Sequence, residues 1–162
     1  MPTTTKADLV DGLRTVLREG TRVMSGFGPD DWKKPALDAD VDGWTRKQVY
    51  CHVTALAEIT PGFIGGLASA SEGTDGAAGV DINALNAQLV AGKAQLSDQE
   101  LLQAFKSGYE KLIDFVQAMP EEQLQGRRKF GELEGSLGDI MASILVLHGI
   151  AHIYGAGGSP LG

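Results

Sequence analysis

The chain has 162 residues, 43% hydrophobic and 22% charged, which suits one globular domain with a substantial core. A formal charge of -7 argues against a nucleic-acid or anionic-membrane partner, because such binding relies on Lys and Arg neutralising phosphates. The single cysteine, Cys51, excludes an internal disulfide and every cysteine-based zinc motif.

Helical periodicity dominates, and no segment reads convincingly as a strand. The start, Met-Pro-Thr-Thr-Thr-Lys, lacks a signal peptide's apolar core, so a cytoplasmic location is expected. A first helix is predicted from about Lys6 to Phe27, with Leu9, Leu13, Val16, Val23, Met24 and Phe27 on one stripe before Gly28-Pro29. After a linker holding Trp32 and Trp44, Thr45 can cap a second helix reaching about Ser69, bent at Pro61. Its stripe is Val49, His52, Val53, Leu56, Ile59 and Phe63, which puts His52 on the buried face. Past a Gly-rich turn at Glu72 to Gly79, a short helix carries Ile82, Leu85, Asn86 and Leu89 on one side. Ser97-Asp98-Gln99-Glu100 is a capping box for a third long helix ending at Pro120, with Leu102, Phe105, Tyr109, Leu112, Val116 and Met119 as its stripe.

Glu121 to Gly135 is polar, holds the basic triplet Arg127, Arg128 and Lys129, and reads as a long crossing loop able to serve as a lid or rim. Ser136 to Asp139 caps the last helix, whose inner face is predicted to be Leu137, Met141, Ile144, His148, Ala151 and His152. Its longest apolar run, Ile140 to Ala151, is too short to span a bilayer and is interrupted by His148, so no membrane segment is expected. Residues 1–155 form one unit and 156–162 a frayed tail. The fold expected is all-α, a four-helix bundle, in which metal sites are built from inward-facing side chains.

The three histidines, His52, His148 and His152, are the informative set. Residues i and i+4 of a helix are neighbours, about 5–6 Å apart at Cβ, so His148 and His152 can grip one ion, with His52 as a third ligand. Three imidazoles with a coordination position left open make a catalytic rather than a structural pattern. The alternative is three core histidines satisfied by carbonyls or water. Gln48, one turn before His52, is the nearest polar neighbour, and Asn86 is either a buried hydrogen-bonder or a pocket residue. Glu58 and Asp139 fall off the ligand faces and read as solvated; Cys51 reads as a packed, inert thiol. The basic triplet is either a solvated loop or a grip for a carboxylated substrate.

Gly43-Trp44-Thr45 leading into Val49-Tyr50-Cys51-His52-Val53, the Asn86 segment, the helix ending at Met119-Pro120, and Gly135-Ser136-Leu137 leading into His148-x-x-x-His152 resemble the DinB-like superfamily. More narrowly, they are similar to the branch containing the metal-binding domain of mycothiol-dependent maleylpyruvate isomerase. The resemblance implies a four-helix bundle, often dimeric, binding zinc, nickel or another divalent ion through His52, His148 and His152. It also implies a small-molecule substrate and a low-molecular-weight thiol such as mycothiol. That branch commonly carries a glutamate ligand one turn before the last helix's histidine; Ile144 stands there, and His152 is available instead. The function expected is a metal-dependent thiol transferase or isomerase acting on a small electrophile, with a non-catalytic metal or small-ligand binding protein as the alternative.

Overall fold

The computed structural model describes residues 3–37 and 43–158. Helix α1 spans Lys6–Ser25, opened by a capping box between Thr5 and Asp8 that satisfies two otherwise orphaned N–H groups. Its stripe of Leu9, Leu13, Val16, Val23 and Met24 is buried as expected. Gly20 belongs to that stripe too, since a Cβ there would strike the Phe105 ring. Helix α2, Arg46–Ser69, begins at a Thr45–Gln48 capping box and contains Pro61. Helix α3, Ile82–Lys93, is capped by Asp81, and α4, Asp98–Ala118, by the expected Ser97–Glu100 box.

Helix α4 packs on both α1 and α2, while the last helix packs on those same two helices. The four stripes therefore close on one core, and α3 lies outside it against α2. Leu9, Leu13, Val49, Phe105, Leu112, Val116 and Met141 are fully buried there. Phe27, Trp32, Tyr50, Phe105 and Tyr109 form a chain of ring contacts, with centroids 4.8–6.2 Å apart.

The segment before the last helix differs from the expected loop. It holds a five-residue helix, α5 (Glu121–Gln125), and an antiparallel hairpin of β1 (Arg127–Phe130) and β2 (Leu133–Ser136), pairing Arg127 with Ser136 and Phe130 with Leu133. Four-residue strands with charged side chains give almost no alternating apolar signal. The one local cue is Gly131, whose φ of 58° supplies the positive value a tight two-residue loop needs at its first position. Tertiary contacts hold the hairpin. The Asp75 carboxylate accepts from the N–H groups of Gly131 and Ala77, both at 2.9 Å, and Gly76 N–H donates to the Lys129 carbonyl. These bonds keep the Asp75 carboxyl below its ordinary pKa.

The last helix, α6, runs Leu137–Gly155, longer than its apolar core, and by length and composition alone it could cross a bilayer. In the fold 44% of its apolar window is buried against the bundle. It is not uniformly α-helical: Ala142–Leu147 winds as a π-helical turn, with His148 N–H donating to the Ser143 carbonyl. The wider turn re-phases the buried face, which becomes Leu137, Met141, Leu145, Gly149, His152 and Ile153, and leaves Ala151 exposed instead of buried. Asp139 is not merely solvated. It accepts from Thr4 N–H and Oγ1 at 2.9 and 2.7 Å, tying the start of the chain to α6. Ala156, in the expected tail, is fully buried, and Gly158 N–H donates to the Ile153 carbonyl. Residues 159–162 lie outside those described.

Candidate metal centre

His52 is carried by α2 and the other two histidines by the second half of α6, and all three rings meet between those helices. His52 is 3% exposed and His152 1%, while His148 is half-buried. The His52 centroid lies 5.5 Å from that of His148 and 5.2 Å from that of His152, and the α6 pair stand 4.1 Å apart. One ligand nitrogen from each falls within 4.8 Å of the other two. His148 Nε2 and His152 Nε2 share a hydrogen bond at 2.7 Å.

This donor set can hold a metal ion. A tetrahedral first-row ion with metal–nitrogen bonds of about 2.0–2.1 Å sets its ligands about 3.4 Å apart. The α6 pair sits inside that separation, and opening it by under an ångström, within reach of a rotamer adjustment, replaces their shared proton with a common ion. Imidazole donors suit zinc, nickel, copper or iron rather than the oxygen-seeking magnesium and calcium. Among the described residues no carboxylate or thiol joins the group.

Two of the histidines, His52 and His148, line a cavity of about 440 Å³, while His152 sits behind them and outside its lining. One wall is α2, through Leu56, Ile59, Thr60 and Phe63; α3 adds Leu85 and Asn86; the hairpin adds Phe130 and Leu133; and α6 adds Ser143 and Ile144. Asn86 thus stands at the cavity, half-buried. Gln48 does not: its Oε1 accepts from Thr45 N–H at 2.8 Å in the α2 cap, and it is absent from the lining.

Thr60 falls within the α2 stripe, one turn after Leu56, and is hidden only by being polar, whereas Ser143 and the hairpin residues Phe130 and Leu133 are not disclosed by the 3.6-residue period. Ser143 comes to the cavity on the π-helical turn, and the hairpin by long-range contacts. Trp44, half-buried, lies against His52 with centroids 5.5 Å apart. Cys51 is buried away from the triad, and desolvation pushes its thiol up to about 11.

The basic triplet does not line the cavity above the histidines; all three residues line a separate recess with Glu72 and Glu134. Arg128 donates through Nε to the Leu67 carbonyl at 2.9 Å and through Nη2 to that of Ala68 at 2.7 Å, closing the C-terminal end of α2. Arg127 pairs with Glu134 at 2.9 Å. Glu58, outside the cavity lining, is ion-paired with Lys93.

A helical bundle with an open three-histidine cluster at the base of a small-molecule cavity is the class that fold and site define together. The chain belongs to the mycothiol maleylpyruvate isomerase N-terminal domain family, whose pattern matches residues 13–149. Its fold is similar to a crystal structure of the mycothiol-dependent maleylpyruvate isomerase, with a TM-score of 0.75 and 14% identity over 98% of this chain. A structure of a histidine-to-alanine variant of that isomerase superposes comparably, with a TM-score of 0.74 and 13% identity over the same share. The chain spans 64% and 65% of the lengths of those two proteins. No curated protein sequence matches it.

Proposed function

We propose that the protein is a divalent-metal enzyme that uses a low-molecular-weight thiol to transfer to, or isomerise, a small electrophile, with His52, His148 and His152 as ligands. The observation that carries this reading is the convergence of three imidazoles from two helices, two of which, His52 and His148, line a cavity of small-molecule size. Zinc or nickel is the ion we assign. When bound, such an ion lowers the pKa of a coordinated thiol or water so that a nucleophile exists at neutral pH. The chain's own residues do the rest. His52 and His152, buried among apolar side chains, keep their rings in fixed orientation. Leu56, Phe63, Phe130 and Ile144 exclude water, and the Asn86 amide can orient a polar group of the substrate.

The names of the structural relatives support a thiol cosubstrate, and the charge of -7 supports the absence of a nucleic-acid partner. A cytoplasmic homodimer is part of the same proposal; Leu147, 68% exposed on α6, offers apolar surface for a partner. The second reading, a non-catalytic metal or small-ligand binding protein, draws on one observation: among the described residues no carboxylate, and no side-chain base besides the ligand histidines, lines the cavity.

The test is metal analysis of protein purified without added metal, then incubation with mycothiol and an electrophile. Stoichiometric metal with thiol-dependent turnover, both lost in His148→Ala, supports the enzyme. Saturable thiol binding without turnover supports the second reading, and protein without bound metal that takes up none overturns both.

A further inference from the structure

The geometry points to an uncharged, largely apolar ligand in the cavity above the histidines, rather than a dicarboxylate. Maleylpyruvate, for which the structural relatives are named, carries two carboxylates. Binding a dianion in a partly buried site requires compensating cations, because desolvating an unpaired carboxylate is costly. Among the described residues no Lys or Arg lines this cavity. A divalent ion on the three histidines answers one carboxylate or thiolate and leaves a second unpaired.

The nearby charges worsen the fit for an anion. Arg127 and Arg128 are committed to Glu134 and to the end of α2. The α3 N-terminus, which reaches the mouth at Ile82, is closed by the Asp81 carboxylate, whose Oδ1 accepts from Ala84 N–H. The polar groups are few. Thr60 Oγ1 donates to the Leu56 carbonyl at 2.6 Å and Ser143 Oγ to the Asp139 carbonyl at 3.1 Å, so both hydroxyls present mainly lone pairs, which repel carboxylate oxygens.

The rim is apolar as well. Six large hydrophobic side chains are exposed among the described residues, and four of them, Ile59, Val80, Ile82 and Leu133, line this one cavity. Scattered exposed hydrophobics need no explanation, but a set gathered round a cavity mouth marks a binding site for an apolar body. At about 30 Å³ of liquid volume per water-sized atom, 440 Å³ admits roughly 15 non-hydrogen atoms. A bicyclic aromatic or branched aliphatic electrophile fits that volume, with one polar group turned to Asn86 and the histidines.

This inference names the substrate class of the site proposed above, yet its test does not require that the metal be bound. Calorimetric titration of the full chain with 1-naphthol and with maleate, each on zinc-loaded and chelator-treated protein, reads the preference directly. We expect 1-naphthol to bind with a stoichiometry of one and about tenfold or more tighter than maleate in both forms. Leu85→Arg should weaken 1-naphthol and strengthen maleate. Ile82→Arg, on the exposed rim, should act in the same sense and is safe for folding.

Maleate binding as tightly as 1-naphthol, no saturable 1-naphthol binding, or indifference to both substitutions overturns the inference. Zinc content, measured by atomic absorption in the same samples, reports separately on the metal. Zinc uptake with maleate preferred sinks the substrate class alone, and 1-naphthol binding without zinc uptake sinks the metal assignment alone.

Discussion

Replacing His148 with alanine should abolish stabilisation by zinc while costing the metal-free protein little. In the folded chain three imidazole nitrogens lie within 4.8 Å of one another. In the unfolded chain His52 is 96 positions from His148, so the full site does not pre-assemble, and an ion binds the native state preferentially. At free zinc about 100-fold above its dissociation constant, that preference stabilises the fold by about 2.7 kcal/mol. For a domain of this size each kcal/mol moves Tm by about 2–4 °C, so zinc should raise it by about 5–11 °C and a chelator reverse it. The metal-free cost of the substitution is chiefly the 2.7 Å hydrogen bond to His152, worth about 0.5–1.5 kcal/mol. Differential scanning fluorimetry of wild type and variant, with zinc or chelator, measures both terms. A zinc shift of equal size in His148→Ala, or none in the wild type, would refute the reasoning.

Four further outcomes follow from the packing and the charges. Gly20→Ala sets a Cβ 2.7 Å from Phe105 Cε1, so overpacking of about 1–3 kcal/mol should outweigh a helix-propensity gain of about 1 kcal/mol. Gly62→Ala, inside α2 with no atom within 4 Å of the new Cβ, should instead raise stability by about 0.5–1 kcal/mol, and urea titration of both variants checks the contrast. Arg128→Ala leaves the Leu67 and Ala68 carbonyls without their charged donor, which should cost about 1.5–3 kcal/mol and speed hydrogen exchange in the hairpin first. Hydrogen bonds from Ser136 and Thr4 hold the Asp139 carboxyl below its ordinary pKa. Its stabilisation is therefore complete above the unfolded-state value near 4 and is lost as pH falls through the lower folded value. Melting from pH 5 to 2.5 should consequently be less pH-dependent in Asp139→Asn than in the wild type, and equal slopes would contradict this.

Local chemistry alone determined a large part of this protein. The Thr45–Gln48, Ser97–Glu100 and Ser136–Asp139 caps, the long helices and the burial of His52 and His152 all follow from interactions spanning three or four residues, which a single sequence displays. The resemblance in the histidine triad likewise pointed to the right family. What only the tertiary structure decided has no local signature. The π-helical turn moved Ser143 into the cavity and turned Ala151 out, because the helical period changed within one helix. The hairpin exists because Asp75 and Gly76 hold it from more than fifty residues away, not because its own strands alternate. Asn86 reaches the cavity from a different helix, α3, whose place against α2 no local spacing sets. Spacing along one helix fixes which side chains share a face; only the docking of α2 against α6, driven by burial of both apolar stripes, brings His52 to the depth of His148 and His152.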